Sequence, residues 1–108
     1  MKEIEFLGNS LNNIRAFPDE AKQDIGFQLD RVQRGHKPSN WKPMKSIGLG
    51  VKEIRTMSSE GIYRTVYVAK FKDAIFVLHA FKKKTQKTSK KDLDLAKKYF
   101  KLLNGEKS

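Results

Sequence analysis

Residues 51–81 read VKEIRTMSSEGIYRTVYVAKFKDAIFVLHAF, and this stretch decides the fold. Three runs within it, Val51–Met57, Ile62–Phe71 and Ala74–Phe81, are dominated by β-branched and aromatic side chains, the types that suit a pleated, half-buried surface. The links between them, Ser58-Ser59-Glu60-Gly61 and Lys72-Asp73, are short enough for hairpins, whereas a parallel pair needs a crossover of roughly a dozen residues or more. The spacing predicts a three-stranded antiparallel meander.

Outward on the N-terminal side, Gly35-His36-Lys37-Pro38, Lys42-Pro43 and Gly48-Leu49-Gly50 are turn signals, so residues 36–50 read as a structured loop with Trp41 and Met44 as anchors onto the core. Before it, Ala21, Ile25, Leu29 and Val32 recur at helical spacing and make one apolar stripe. That helix opens at Pro18-Asp19-Glu20, with Pro in its first turn, and stops at Gly35. A shorter helix, capped by Asn9 or Ser10, carries Leu11, Ile14 and Phe17 on one face. Lys2–Leu7 is a short first strand that Gly8 ends. On the C-terminal side a last helix begins at Ser89, with Asp92 near its N-terminus and Leu93, Ala96, Phe100 and Leu103 on one face, and Asn104-Gly105 closes it. The order β-α-α-β-β-β-α describes a single α+β domain over residues 1–108. Two helices cover one face of a small antiparallel sheet and the last helix lies at its edge.

The chain has 108 residues, no cysteine and a net charge of +11. That length suits one core, and the missing thiols exclude disulfide frameworks, thiolate metal sites and cysteine nucleophiles. The first twenty residues hold no apolar h-region and no membrane-spanning run, which leads us to expect a soluble cytoplasmic protein with no membrane partner. No phosphate-binding glycine loop and no His-Glu-x-x-His pattern is present, and the expectation is chemistry without metal or cofactor. The charge is unevenly spread: residues 1–36 carry a net −1, residues 37–80 a net +5 and residues 81–108 a net +7. An excess confined to the later part of a folded domain points to a face that meets a polyanion, and the plainer alternative is a solvated lysine-rich surface.

The cations suggest chemistry. Arg55 and Arg64 flank one hairpin, and Lys82, Lys83 and Lys84 follow as the last strand runs out. Guanidiniums brought together repel unless an anion lies between them, and their planar donors suit a phosphodiester. The competing reading pairs Arg55 with Glu53 or Glu60 and Arg64 with Asp73. His79 can accept a proton from a ribose 2′-hydroxyl, because imidazole titrates near neutrality; a lone strand histidine can equally be structural. Lys84, Lys87, Lys90 and Lys91 would follow a nucleic-acid backbone. Tyr63 and Tyr67 are the aromatic candidates for stacking bases, set against a place in the core.

Leu49–Arg55, Tyr63-Arg64-Thr65-Val66-Tyr67 and Phe76–Thr88, followed by a helix with Ala96, together resemble the RelE/ParE toxin superfamily, and within it the phage-derived, HigB-like branch. The resemblance implies the toxin of a type II toxin–antitoxin pair: a metal-free endoribonuclease, or mRNA interferase, that cuts messages on the ribosome and inhibits translation. Its partners would be a cognate helix-turn-helix antitoxin and the ribosome-bound mRNA. Arg64 matches the arginine that contacts the scissile phosphate, Arg55 the arginine closing its strand, and Lys83 a second cation after the last strand. Glu53 stands where RelE members carry a lysine. On this reading His79 or Glu53 takes the 2′-hydroxyl proton, Arg55 and Arg64 stabilise the pentacoordinate phosphate, and Lys82 or Lys83 neutralises the leaving oxygen, giving a 2′,3′-cyclic phosphate. The resemblance also admits a non-enzymatic, ParE-like inhibitor of DNA gyrase, or an inactive toxin remnant that binds RNA.

Overall fold

A computed structural model describes residues 1–71, 74–83 and 88–105. The elements are β1 (Glu3–Phe6), α1 (Ser10–Arg15), α2 (Asp19–Gln33), β2 (Trp41–Pro43), β3 (Val51–Ser58), β4 (Gly61–Phe71), β5 (Ala74–Lys83) and α3 (Lys90–Leu103). The sheet order is β1-β5-β4-β3-β2. The expected meander forms its centre: β3 pairs antiparallel with β4, and β4 with β5. β1 joins the far side of β5 in parallel, through residues Glu3 to Phe6 against Ala74 to Val77. The sheet is therefore mixed, with five strands, where an antiparallel one was expected. Its other edge is β2, three residues inside the segment read as loop, paired antiparallel with β3. A run this short carries no readable period, and its Pro43 is tolerated because nothing beyond it in the sheet needs an amide donor.

Both faces of the sheet are apolar, and each is covered. Ile14, Phe17, Ala21, Ile25, Leu29 and Val32 of the first two helices and the Phe17 turn pack on Ile54, Tyr63, Tyr67, Ile75, Val77 and Ala80. On the other face Ala96, with Leu93, Tyr99 and Phe100, packs on Val66, Val68, Leu78 and Phe81, joined by Met44, Ile47 and Val51. The placement of α3 at the sheet edge is thus corrected: it lies across the second face, because β4 and β5 offer alternate residues of one apolar run to each side.

A bulge shapes the second face. Val66 pairs with His79 but Tyr67 with Val77, so Leu78 is an extra residue in β5. The insertion inverts the alternation. Val77 faces α1 and α2, yet so does Ala80, while Leu78 and Phe81 turn to α3.

The helix ends follow local chemistry. Gly35 takes a φ of 87°, and the amides of Gly35 and His36 donate to the carbonyls of Val32 and Arg31 at 3.0 and 2.9 Å, closing α2 with a Schellman turn. Pro18 sits at the N-cap of α2, one place earlier than expected. At α1 neither Asn9 nor Ser10 makes the expected side-chain cap; Asn9 occupies the position without that bond, and buried Ser10 turns its hydroxyl towards the Val77 carbonyl at 3.4 Å. At α3 the Ser89 hydroxyl accepts from the Asp92 amide and donates to the Asp92 carboxylate. No helix among the described residues is long and apolar enough to cross a membrane.

Candidate functional site

Register brings the cations together. Lys42 pairs with Glu53, Glu53 with Val66, and Arg55 with Arg64. Since side chains alternate along a strand, Lys42, Glu53, Arg55 and Arg64 all fall on the α3 side of the sheet, at its β2 end. They line a cavity of about 170 Å³ together with Asn40 and Trp41. Glu53 is its fixed point. Its carboxylate is fully buried and accepts from the Arg64 guanidinium, whose side chain is only 2% exposed. The second carboxylate oxygen accepts from the Thr88 hydroxyl at 3.3 Å, and the Lys42 ammonium stands 3.9 Å from the oxygen that Arg64 holds.

Lys83 belongs to the same group. It is held below the ordinary lysine value, first by desolvation and then by the charges of Arg64, Arg55 and Lys42, with Glu53 pulling in the opposite direction. Three cations, Lys42, Arg55 and Arg64, thus line the cavity with one carboxylate, and Lys83 feels the charge of all four; the carboxylate is committed to Arg64. The surplus positive charge is what an anion would neutralise. Of the two arginines, Arg55 is half-buried and makes no ion pair among the described residues. Arg64 is anchored, and its Nε–H has no hydrogen-bond partner among the described residues. Among the described residues Arg64 takes Glu53, and Arg55 pairs with neither Glu53 nor Glu60; Asp73, the alternative partner read for Arg64, lies outside the described residues.

His79 is elsewhere. Its Nε2 is 2.7 Å from the Asp92 carboxylate, its ring stacks on Phe81, and it lines a separate cavity of about 470 Å³ with Asn13, Phe17, Tyr63, Lys82 and Lys91. The bulge turns it to the α3 side, the same face as the arginine cavity, but Val66 stands between it and Glu53 in the register, and it lines the other cavity. Lys82 alternates with Lys83 and so takes the other side of the sheet, its ammonium 6.0 Å from the Tyr63 ring centroid. Lys90 and Lys91 are exposed at the start of α3. Lys84 and Lys87 lie outside the described residues.

The expectation that Tyr63 or Tyr67 is exposed for stacking is corrected. Tyr63 is 4% and Tyr67 1% exposed, both within the core under α1 and α2, and burial pushes the Tyr67 hydroxyl up to about 12. Trp41, taken as a core anchor, is instead half-buried on the edge strand and belongs to neither core cluster. Lys42, Asn40, Trp41 and Thr88 are the site residues that the sequence reading missed. Lys42-Pro43 looked like a turn, and only pairing with β3 places Lys42 against Glu53. Among the described residues no group of three or more His, Asp or Glu is placed to hold a metal ion.

Residues 12–101 match the family model described as Phage derived protein Gp49-like (DUF891). No curated protein matches the chain. The match takes in both helical layers, the central strands and every residue of the arginine cavity. The chain belongs to the Gp49-like phage-derived family, a family of RelE-like toxin–antitoxin toxins.

Proposed function

We propose that the chain is the toxin of a type II toxin–antitoxin pair, of the HigB-like branch, and that it cuts messenger RNA on the ribosome in the cytoplasm. The observation that supports this reading is the convergence of Lys42, Arg55 and Arg64 around the single, already committed carboxylate of Glu53, with Lys83 within reach of their charge. Such a cavity suits a phosphodiester on which negative charge grows during reaction. At about 170 Å³ it falls short of the roughly 300–1,000 Å³ that holds a whole small-molecule ligand, which favours a phosphate group over a free nucleotide.

The mechanism follows from what each group has free. Arg55 and the Nε–H of Arg64, which has no partner among the described residues, stabilise the pentacoordinate phosphate. Glu53 orients Arg64, and with both carboxylate oxygens engaged it is a poor base. Lys83, held below the ordinary lysine value and so with a larger neutral fraction than a free lysine, is our choice for the group that takes the 2′-hydroxyl proton, that neutral fraction being the reactive one. The 2′-oxygen then bonds to phosphorus as the bond to the 5′-oxygen breaks, and the Lys42 ammonium protonates that leaving oxygen. A 2′,3′-cyclic phosphate and a free 5′-hydroxyl result. His79 acts on this reading through Asp92, holding the start of α3 to β5. A helix-turn-helix antitoxin would keep the toxin inactive.

The test is expression without a neighbouring antitoxin. Growth arrest with new message ends mapped by primer extension is expected, and Arg55→Ala should abolish both while the protein still folds. Broken DNA with no new message ends would point to gyrase instead, and growth without arrest to an inactive remnant.

A further inference from the structure

The arginine cavity accounts for a phosphate but for no base. Trp41 borders it from the edge strand, and its indole is one that the core does not use. β2 is an edge strand. Its register sets Trp41 opposite Ile54, on the α2 side, and Lys42 opposite Glu53, on the other. A polynucleotide crossing this edge would meet the cations on one side and the indole on the other. Two ammonium groups already lie against the ring, Lys52 at 4.9 Å and Lys37 at 5.6 Å from its centroid. Cation–π contacts at exposed sites are weaker than the stacking of a base on an aromatic ring. An incoming base can displace either lysine, and the released ammonium then meets the adjoining phosphates.

We propose that Trp41, flanked by Lys37 and Lys52, is the stacking platform for the nucleobase of single-stranded RNA adjoining the phosphate held at Arg55 and Arg64. This rests on the RNA-cleaving reading above and adds a base subsite to it. Recognition there is sequence-tolerant, because every base presents a π-face.

Trp41 is the one tryptophan in the chain, so its emission reports the subsite directly. The probe is a short oligoribonucleotide, 2′-O-methylated throughout to prevent cleavage, titrated at low salt with binding followed separately by anisotropy of a labelled copy. We expect tryptophan emission to be quenched with the same midpoint as binding, and an abasic oligomer of equal length to bind without quenching. Trp41→Ala should weaken the oligonucleotide roughly tenfold or more and leave the abasic oligomer unaffected. Trp41→Phe keeps an aromatic face and should retain most of the affinity, which guards against a folding defect in the alanine variant. Binding without quenching, equal quenching by the abasic oligomer, or undiminished affinity in Trp41→Ala would overturn the stacking subsite while leaving RNA recognition intact. No binding of any oligomer by the unaltered protein would overturn both.

Discussion

Arg64 and Glu53 show how one residue can belong to the fold and to the site at once. Both side chains are buried, at 2% and 0% exposure. Removing Glu53 strands the buried Arg64 guanidinium among other cations, and removing Arg64 leaves the buried Glu53 carboxylate only the half-exposed Lys42 ammonium at 3.9 Å, at a cost of about 3–5 kcal/mol. Urea unfolding of Arg64→Ala and of Glu53→Ala should each show a loss of that order. The double variant should lose less than the two singles together, because the second substitution removes the stranded charge. Arg55 makes no ion pair among the described residues and is half-buried. Arg55→Ala should therefore stay within about 1 kcal/mol of the unaltered protein while the proposed message cleavage disappears. Loss of activity in an Arg64 variant mixes folding with chemistry, whereas the same loss at Arg55 isolates the chemistry.

At the scale of elements, α3 is held by two aromatic rings seated on glycines. A methyl at Gly8 would overlap the Tyr99 ring and one at Gly48 the Phe100 ring, and Gly8 also has a φ of 53°. Gly8→Ala and Gly48→Ala should each destabilise by about 1–3 kcal/mol through overpacking, with the larger loss at Gly8, where the backbone conformation also disfavours a side chain. Thermal unfolding measures both. Neither contact is legible in the sequence, because each joins a loop glycine to a helix far along the chain. The strands β3, β4 and β5 and the helices α2 and α3 were legible, since their apolar periods are long enough to fix element type. The hairpin that aligns Arg55 with Arg64 was legible for the same reason. Lys42 was not, because three residues of β2 carry no period of their own. The side taken by His79 was hidden too: counting by twos from Ile75 and Val77 sends it towards α1 and α2, and the extra residue Leu78 sends it towards Asp92.

Across the whole molecule the charge divides along the chain, with a nearly balanced first third and an excess of +12 beyond residue 36. In the fold, the balanced third supplies the α1–α2 layer, while the later residues supply the cavity and its surroundings. Lys83 lets this surplus be measured, because it should impose opposite pH dependences on stability and on binding. Its value is lowered in the folded protein by desolvation and by Arg64, Arg55 and Lys42. As pH rises through that lowered value towards the ordinary lysine value, the unfolded chain holds the proton more tightly than the folded one, and the Lys83 contribution to stability rises. A bound polyanion favours the charged form, so the Lys83 contribution to affinity falls over the same window. Comparison with Lys83→Gln removes the background of other lysines. The variant should be more stable than the unaltered protein at pH 7 and bind a 2′-O-methyl oligoribonucleotide more weakly, and both differences should shrink as pH climbs. If Lys83 neutralises one phosphate, its removal should also reduce the slope of log affinity against log salt by about 0.7. Stability and affinity differences that stay constant with pH, or an unchanged salt slope, would remove Lys83 from the anion site.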